Sequence, residues 1–133
     1  GSPTDFGPAV RFLGYDVSST DVRRGEDFEI TWYYEATGSL AGDWRVFVHV
    51  EGPGARFLGD HDPVSGALPF DRWRPGQLIA DRQTIHIPDD APPGEYTIFA
   101  GLFARNRRMP VTRTTGQTVD ANRLRVTSLQ IVP

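Results

Sequence analysis

The sequence predicts an all-β fold, an antiparallel sandwich of about seven to nine strands in the immunoglobulin-like or fibronectin-like manner. Three observations predict it. Eleven prolines and fourteen glycines cut the chain into short runs. Those runs are rich in Val, Ile, Phe, Tyr and Thr, which suit a pleated, half-buried surface. No stretch sustains a helical period, whereas several alternate apolar and polar residues with the period of two that a strand requires.

The first strand is expected from Val10 to Ser18, with Leu13, Tyr15 and Val17 sharing a face. Residues Asp21 to Glu26 read as a turn. The run Asp27 to Ala36 alternates most cleanly: Phe28, Ile30, Trp32 and Tyr34 face one way, Asp27, Glu29, Thr31 and Glu35 the other. Such a strand has one buried and one wet face. A turn from Gly38 to Gly42 leads to a strand over Asp43 to Glu51. There Trp44, Val46, Val48 and Val50 share one face while Phe47 and His49 occupy the other, so cover on both sides is expected. Gly52-Pro53-Gly54 signals a tight hairpin returning over Ala55 to Gly59.

After a long loop, Leu78 to Pro88 forms the next strand, with Ile79, Ile85 and Ile87 in register. Asp81 shares their parity, so it either points inward and needs a partner or is re-aimed by a bulge. Asp89 to Gly94 is a turn, and Glu95 to Ala104 a strand with Tyr96, Ile98 and Leu102 inward. Met109 to Thr112 is a short run. Arg123 to Val132 closes the fold, and its apolar parity changes between Val126 and Leu129, which predicts a bulge or a change of sheet. Pro92-Pro93-Gly94-Glu95-Tyr96 matches the tyrosine corner, in which a Tyr hydroxyl bonds back to the preceding loop.

A chain of 133 residues suits one domain, expected over residues 3–133, with Gly1-Ser2 read as a tag remnant. The absence of cysteine excludes disulfides and zinc–thiolate sites. A formal net charge of -3 argues against a nucleic-acid partner. No apolar run approaches the ~20 residues needed to cross a bilayer, and any membrane anchor is expected in a parent protein. All 14 basic residues are Arg, which a GC-rich genome explains, and which selection for planar anion recognition also explains.

Several motifs, taken in order, resemble a bacterial family. They are Phe12-Leu13-Gly14-Tyr15, Arg24-Gly25-Glu26-Asp27, Thr31-Trp32-Tyr33-Tyr34, Val46-Phe47-Val48-His49-Val50, Asp60-His61-Asp62-Pro63, Trp73-Arg74-Pro75-Gly76 before Asp81, Ile87-Pro88 before the Tyr96 motif, and Gly101-Leu102-Phe103. The set resembles the extracytoplasmic β-sandwich accessory region of membrane glycosyltransferases of the protein-mannosyltransferase type, and of some exported proteobacterial proteins. That resemblance implies an immunoglobulin-like sandwich working in the periplasm or at the cell surface. It implies no chemistry, because nothing in this chain matches the membrane catalytic part.

The loop from Gly59 to Asp81 holds the candidate site. Asp60, His61 and Asp62 are weak candidates for a metal, preferably calcium with its taste for hard oxygens. They lack the spacing of a calcium loop, and His49 and His86 are distant in sequence. The plainer reading is that Asp60 and Asp62 cap the turn before Pro63. Trp73, flanked by Asp71, Arg72 and Arg74 and joined by His61 and Asp62, is the set a carbohydrate would use: an aromatic face ringed by hydrogen-bonding groups. The plainer reading is that Trp73 is a plug closing one end of the sandwich, its burial worth about 2–3 kcal/mol. Asp81 then forms a latch with Trp73 and Arg74. Ser65 beside His61 has no Gly-x-Ser-x-Gly elbow, and carboxylate pairs drawn from Asp60, Asp62, Asp71 and Asp81 arise by chance. The expectation is a binding module without catalysis or cofactor, taking cell-surface carbohydrate; the alternative is a structural module that positions a partner protein.

Overall fold

The computed structural model describes residues 3–114 and 116–133. Among them are twelve strands, two short 3-10 turns and no α-helix. Five strands form one sheet in the order β10 (Val111–Arg113), β1 (Thr4–Phe6), β2 (Val10–Val17), β4 (Asp27–Ala36), β7 (Leu78–His86). The other sheet runs β11 (Val119–Asp120), β12 (Arg123–Val132), β8 (Gly94–Ala104), β5 (Arg45–Gly52), β6 (Ala55–Leu58). Two further strands join it: β3 (Asp21–Arg23) pairs in parallel with β12, and β9 (Arg107–Arg108) pairs with β8. Every other pairing is antiparallel.

The inward faces meet in one core. Phe28, Ile30, Trp32 and Tyr34 of β4 pack with Val46, Val48 and Val50 of β5 and with Tyr96, Ile98 and Leu102 of β8. The alternation read in β4 is the alternation observed, because each step of a pleated strand reverses the side chain. On β5, Phe47 and His49 are also buried, covered on the outer side by guanidinium groups: Arg108 lies 4.8 Å from the Phe47 ring centre, and Arg123 reaches His49 Nδ1 at 3.1 Å.

Three expectations need correction. The strand number exceeds the range of seven to nine, because β1, β3, β9 and β11 are only two or three residues long and too short to show a period. Val22 is one such residue: the stretch read as a turn lays it into the core beside Ile131. In β2 the register skips Leu13 between Phe12 and Gly14, so Val10 and Phe12 are the buried pair and the face proposed from Leu13 does not run through. The bulge expected in β12 is present, between Arg125 and Thr127. The Tyr96 hydroxyl donates to the Pro92 carbonyl at 2.7 Å, as the corner motif requires. A Cβ at Gly52 would lie 2.5 Å from the Tyr96 ring, so the hairpin approaches that ring only through glycine.

Candidate functional site

The loop after β6 first continues alongside β5. His61 and Val46 exchange backbone hydrogen bonds at 2.9 and 3.0 Å, and Gly59 N–H donates to the Val48 carbonyl at 2.8 Å. This extended stretch sends successive side chains to different places. Asp60 Oδ1 accepts from Val48 N–H at 3.2 Å, Asp62 Oδ1 accepts from Arg45 Nε at 3.0 Å, and His61 turns toward β7. The three do not converge, and among the described residues no group of three or more His, Asp or Glu side chains is placed to hold a metal. Neither Asp acts as the turn cap expected of it: Asp62 makes no side-chain cap to the turn Pro63–Gly66.

Asp81 points straight into the core and is fully buried, with β4 and β7 in unbroken register past it. No bulge rescues it. Its charge is met by the loop instead. Oδ1 accepts from Val64 N–H at 2.8 Å, and Oδ2 meets His61 Nε2 at 2.5 Å. To present that amide, Val64 and Ser65 adopt left-handed backbone, with φ of 54° and 53°. A β-branched residue resists that region, so the bond to Asp81 stabilises a locally unfavourable turn. Next along β7, Gln83 repeats the arrangement: it accepts from Trp32 Nε1 at 2.6 Å and donates to the Gly59 carbonyl at 3.0 Å. The latch is therefore His61–Asp81–Val64 with Gln83 beside it, and not Asp81 with Arg74 and Trp73.

Trp73 is 2 % exposed and caps the core. Its ring packs against Phe70 at 4.6 Å and Tyr34 at 5.6 Å, and Nε1 donates to the Leu68 carbonyl at 3.0 Å. The plug is the role its side chain occupies; it presents no open face for a sugar ring. Burial pushes the Tyr34 hydroxyl well above its usual range, with the Asp81 charge adding to the effect.

The sequence candidates thus divide between two cavities. One is an open groove of about 640 Å³ between the 60–65 segment and β7, lined by Asp60, His61, Asp62 and Ser65 with Glu29, Arg45, Arg82, Gln83 and Thr84. The other, about 550 Å³, lies at the end of the sandwich, where Asp71, Arg72, Arg74 and an edge of Trp73 meet Ser39 and Gln77. Arg45, Arg82, Gln83 and Thr84 escaped notice in the sequence. A signal existed for Gln83: like Asp81, it is a polar residue at an inward position of β7.

The groove's charges are largely matched. Arg82 pairs with Glu29 at 2.5 Å and Arg45 with Asp62 at 3.0 Å. His61 has no ring nitrogen to spare. The Gly59 carbonyl, 3.1 Å from Nδ1, can only accept, so Nδ1 carries hydrogen, and Nε2 shares one proton with Asp81. Neither nitrogen can take a proton from Ser65, which the serine–histidine arrangement of a hydrolase demands.

No family model matches the chain, and no curated protein matches it. Solved structures do. A Niemann-Pick type C2 protein from the Japanese carpenter ant superposes over 97% of this chain and 95% of its own, with a TM-score of 0.61 at 10% identity. An alkylpurine DNA glycosylase from Pseudomonas fluorescens, bound to DNA containing an abasic site analog, gives a TM-score of 0.57 at 12% identity, covering 97% of this chain. A β-glucosidase from Erythrobacter marinus gives 0.54 at 14% identity, again over 97% of this chain. The chain spans 32% of the glycosylase and 16% of the glucosidase, so in both the likeness is to one portion of a larger protein. At such identities the likeness is one of fold, and it places this chain among two-sheet, all-β structures.

Proposed function

We propose that this protein is a non-catalytic binding module that takes carbohydrate in the groove between residues 60–65 and β7. One observation carries the reading: nine hydrogen-bonding side chains line the groove, and the buried His61–Asp81–Val64 contact holds one wall in place. A polyhydroxylated ligand needs donors and acceptors fixed in advance, since ordering them on binding costs about 0.5–1.5 kcal/mol per side chain. The matched Arg82–Glu29 and Arg45–Asp62 pairs favour an uncharged ligand over an ion. His61, committed at both nitrogens, supports binding over catalysis.

The module is an immunoglobulin-like accessory region acting outside the cytoplasm. The strand path, with β2-β4-β7 packed on β3-β12-β8-β5-β6, and the Tyr96–Pro92 bond support the immunoglobulin-like assignment. The resemblance of the ordered motifs to mannosyltransferase accessory regions supports the compartment.

A protein-docking reading has its own support. With Trp73 buried, the exposed large apolar groups among the described residues are Leu58, Leu78 and Tyr33, and Leu58 and Leu78 sit on strands at sheet edges. Edge strands offer unpaired backbone groups to a partner. Calorimetric titration with manno- and cello-oligosaccharides separates the two readings. Saturable binding that is lost in Arg82→Ala and Thr84→Ala, and kept in Leu78→Ser, supports the groove. Binding unaffected by the groove variants, or absent for every oligosaccharide, refutes it.

A further inference from the structure

Five arginines at the loop end of the sandwich have no carboxylate partner among the described residues; Arg108 is engaged by the Phe47 ring and the Ala121 carbonyl, and four are left. Arg72 and Arg74 follow the short turn Phe70–Arg72, and Arg105 and Arg107 belong to the hairpin between β8 and β9. Antiparallel pairing fixes where these segments sit. β4 ends at Ala36, β5 begins at Arg45, β7 begins at Leu78 and β8 ends at Ala104, so the connections at all four points gather at one end. All four side chains are exposed, and among the described residues none forms an ion pair. Asp43 and Asp71 share this end, which leaves it net positive on a chain of formal charge -3.

Two cavities flank the 38–44 loop at this end. The first holds Arg72 and Arg74 with Ser39, Asp71 and Gln77. The second, about 380 Å³, holds Arg105 and Arg107 with Asp43, Asn106 and Trp44. Trp44 is half-buried, with the Arg107 guanidinium 5.7 Å from its ring centre. The aromatic-with-arginine arrangement expected around Trp73 therefore exists, but around Trp44.

We propose that this end binds an anionic polysaccharide, one bearing carboxylate or sulfate groups at regular intervals. Each cavity offers two guanidinium groups, whose planar forks match such oxyanions two bonds at a time. Ser39, Gln77, Asn106 and Asp43 serve hydroxyl groups between the charges, and Trp44 covers an apolar sugar face. Two similar cavities on either side of one loop suit a repeating polymer better than a single small anion. A bilayer surface requires apolar anchoring that one exposed leucine at this end, Leu78, does not supply. The site is separate from the groove beside His61, and its arginines lack the carboxylate partners that neutralise that groove.

The test is binding of the intact chain to polygalacturonate, with dextran as the uncharged control and poly-glutamate and phosphatidylglycerol vesicles as rival polyanions. Polygalacturonate is expected to bind with an affinity that falls at least about tenfold between about 50 and about 250 mM sodium chloride, whereas any dextran held by the groove is expected to be indifferent to salt and to the arginine variants. Arg72→Gln/Arg74→Gln and Arg105→Gln/Arg107→Gln, all at exposed positions, are each expected to weaken binding about tenfold or more. Arg24→Gln, at an arginine beside Val132 that forms no ion pair among the described residues, is expected to change nothing. The proposal is overturned if polygalacturonate does not bind at low salt. It is equally overturned if poly-glutamate or the vesicles bind as tightly, or if Arg24→Gln weakens binding as much as the paired variants.

Discussion

Replacing Asp81 by Asn removes one charge and almost no volume, and the structure sets the cost. Asp81 is fully buried, and both its oxygens accept: one from Val64 N–H at 2.8 Å, one from His61 at 2.5 Å. An amide can still accept from Val64 N–H through its oxygen and donate to Nε2 of a neutral His61, so the substitution strips both contacts of their charge assistance rather than of their geometry. Losing charge-assisted bonds in a buried site costs about 2–4 kcal/mol. A chain of 133 residues unfolds with an entropy near 0.28 kcal/mol per degree, so the thermal midpoint should fall by about 7–14 °C. Thermal melts followed by circular dichroism measure this directly. Asp62→Asn is the control: it breaks the exposed pair with Arg45 and should cost under about 1 kcal/mol. A double-mutant cycle with His61→Ala then reads the coupling, and Asp81→Asn should cost much less once His61 is gone. A fall below about 2 °C for Asp81→Asn, or full additivity with His61→Ala, would show that the latch does not hold the loop.

Other outcomes follow from neighbouring features. Trp73→Ala should destabilise by about 3–5 kcal/mol, and acrylamide should quench wild-type and Trp73→Phe fluorescence to a similar small extent per buried ring. Strong quenching that disappears with Trp73 would place the ring in solvent. Ser65→Gly should raise stability by about 0.5–1 kcal/mol in denaturant titrations, because Ser65 is exposed and left-handed at φ 53°. Burial, then the charges of Arg56, Arg108 and Arg123, lower the His49 imidazole from its ordinary 6.5. The unfolded chain therefore takes up that proton first, so this contribution is complete above about pH 7 and is lost as pH falls through 6.5 toward the folded value. Urea midpoints measured between about pH 7.5 and 5.5 should decline less steeply in His49→Gln than in wild type, and equal slopes would refute the assignment.

The sequence exposed the fold wherever a strand was long enough to show its period. β4 and β12 have the boundaries read from alternation alone, and the parity break at Val126 became a bulge because an inserted residue must shift every side chain after it. Pairs such as Val22 with Ile131 were hidden, since a three-residue strand is indistinguishable from a turn until its partner is known. In the site, Asp81 was legible as a polar residue on an apolar face, and its need for a partner was correct. Its partner was not legible. His61 lies twenty residues away, and only the continuation of the loop along β5, seen in the Val46–His61 bridge, brings it into reach. Sequence offered Trp73 as a plug, the plainer reading, and also as a platform, because an aromatic in a loop serves either role according to whether the core beneath needs closing. Phe70 and Tyr34 under its ring decide that.

Amide chemical-shift mapping with the tightest-binding neutral oligosaccharide tests the groove most directly. The groove account predicts saturable shifts concentrated in residues 59–65 and 80–84, while Asp71, Arg72 and Arg105 stay still. Shifts confined to the surroundings of Leu58 and Leu78, or none at saturating ligand, would contradict it.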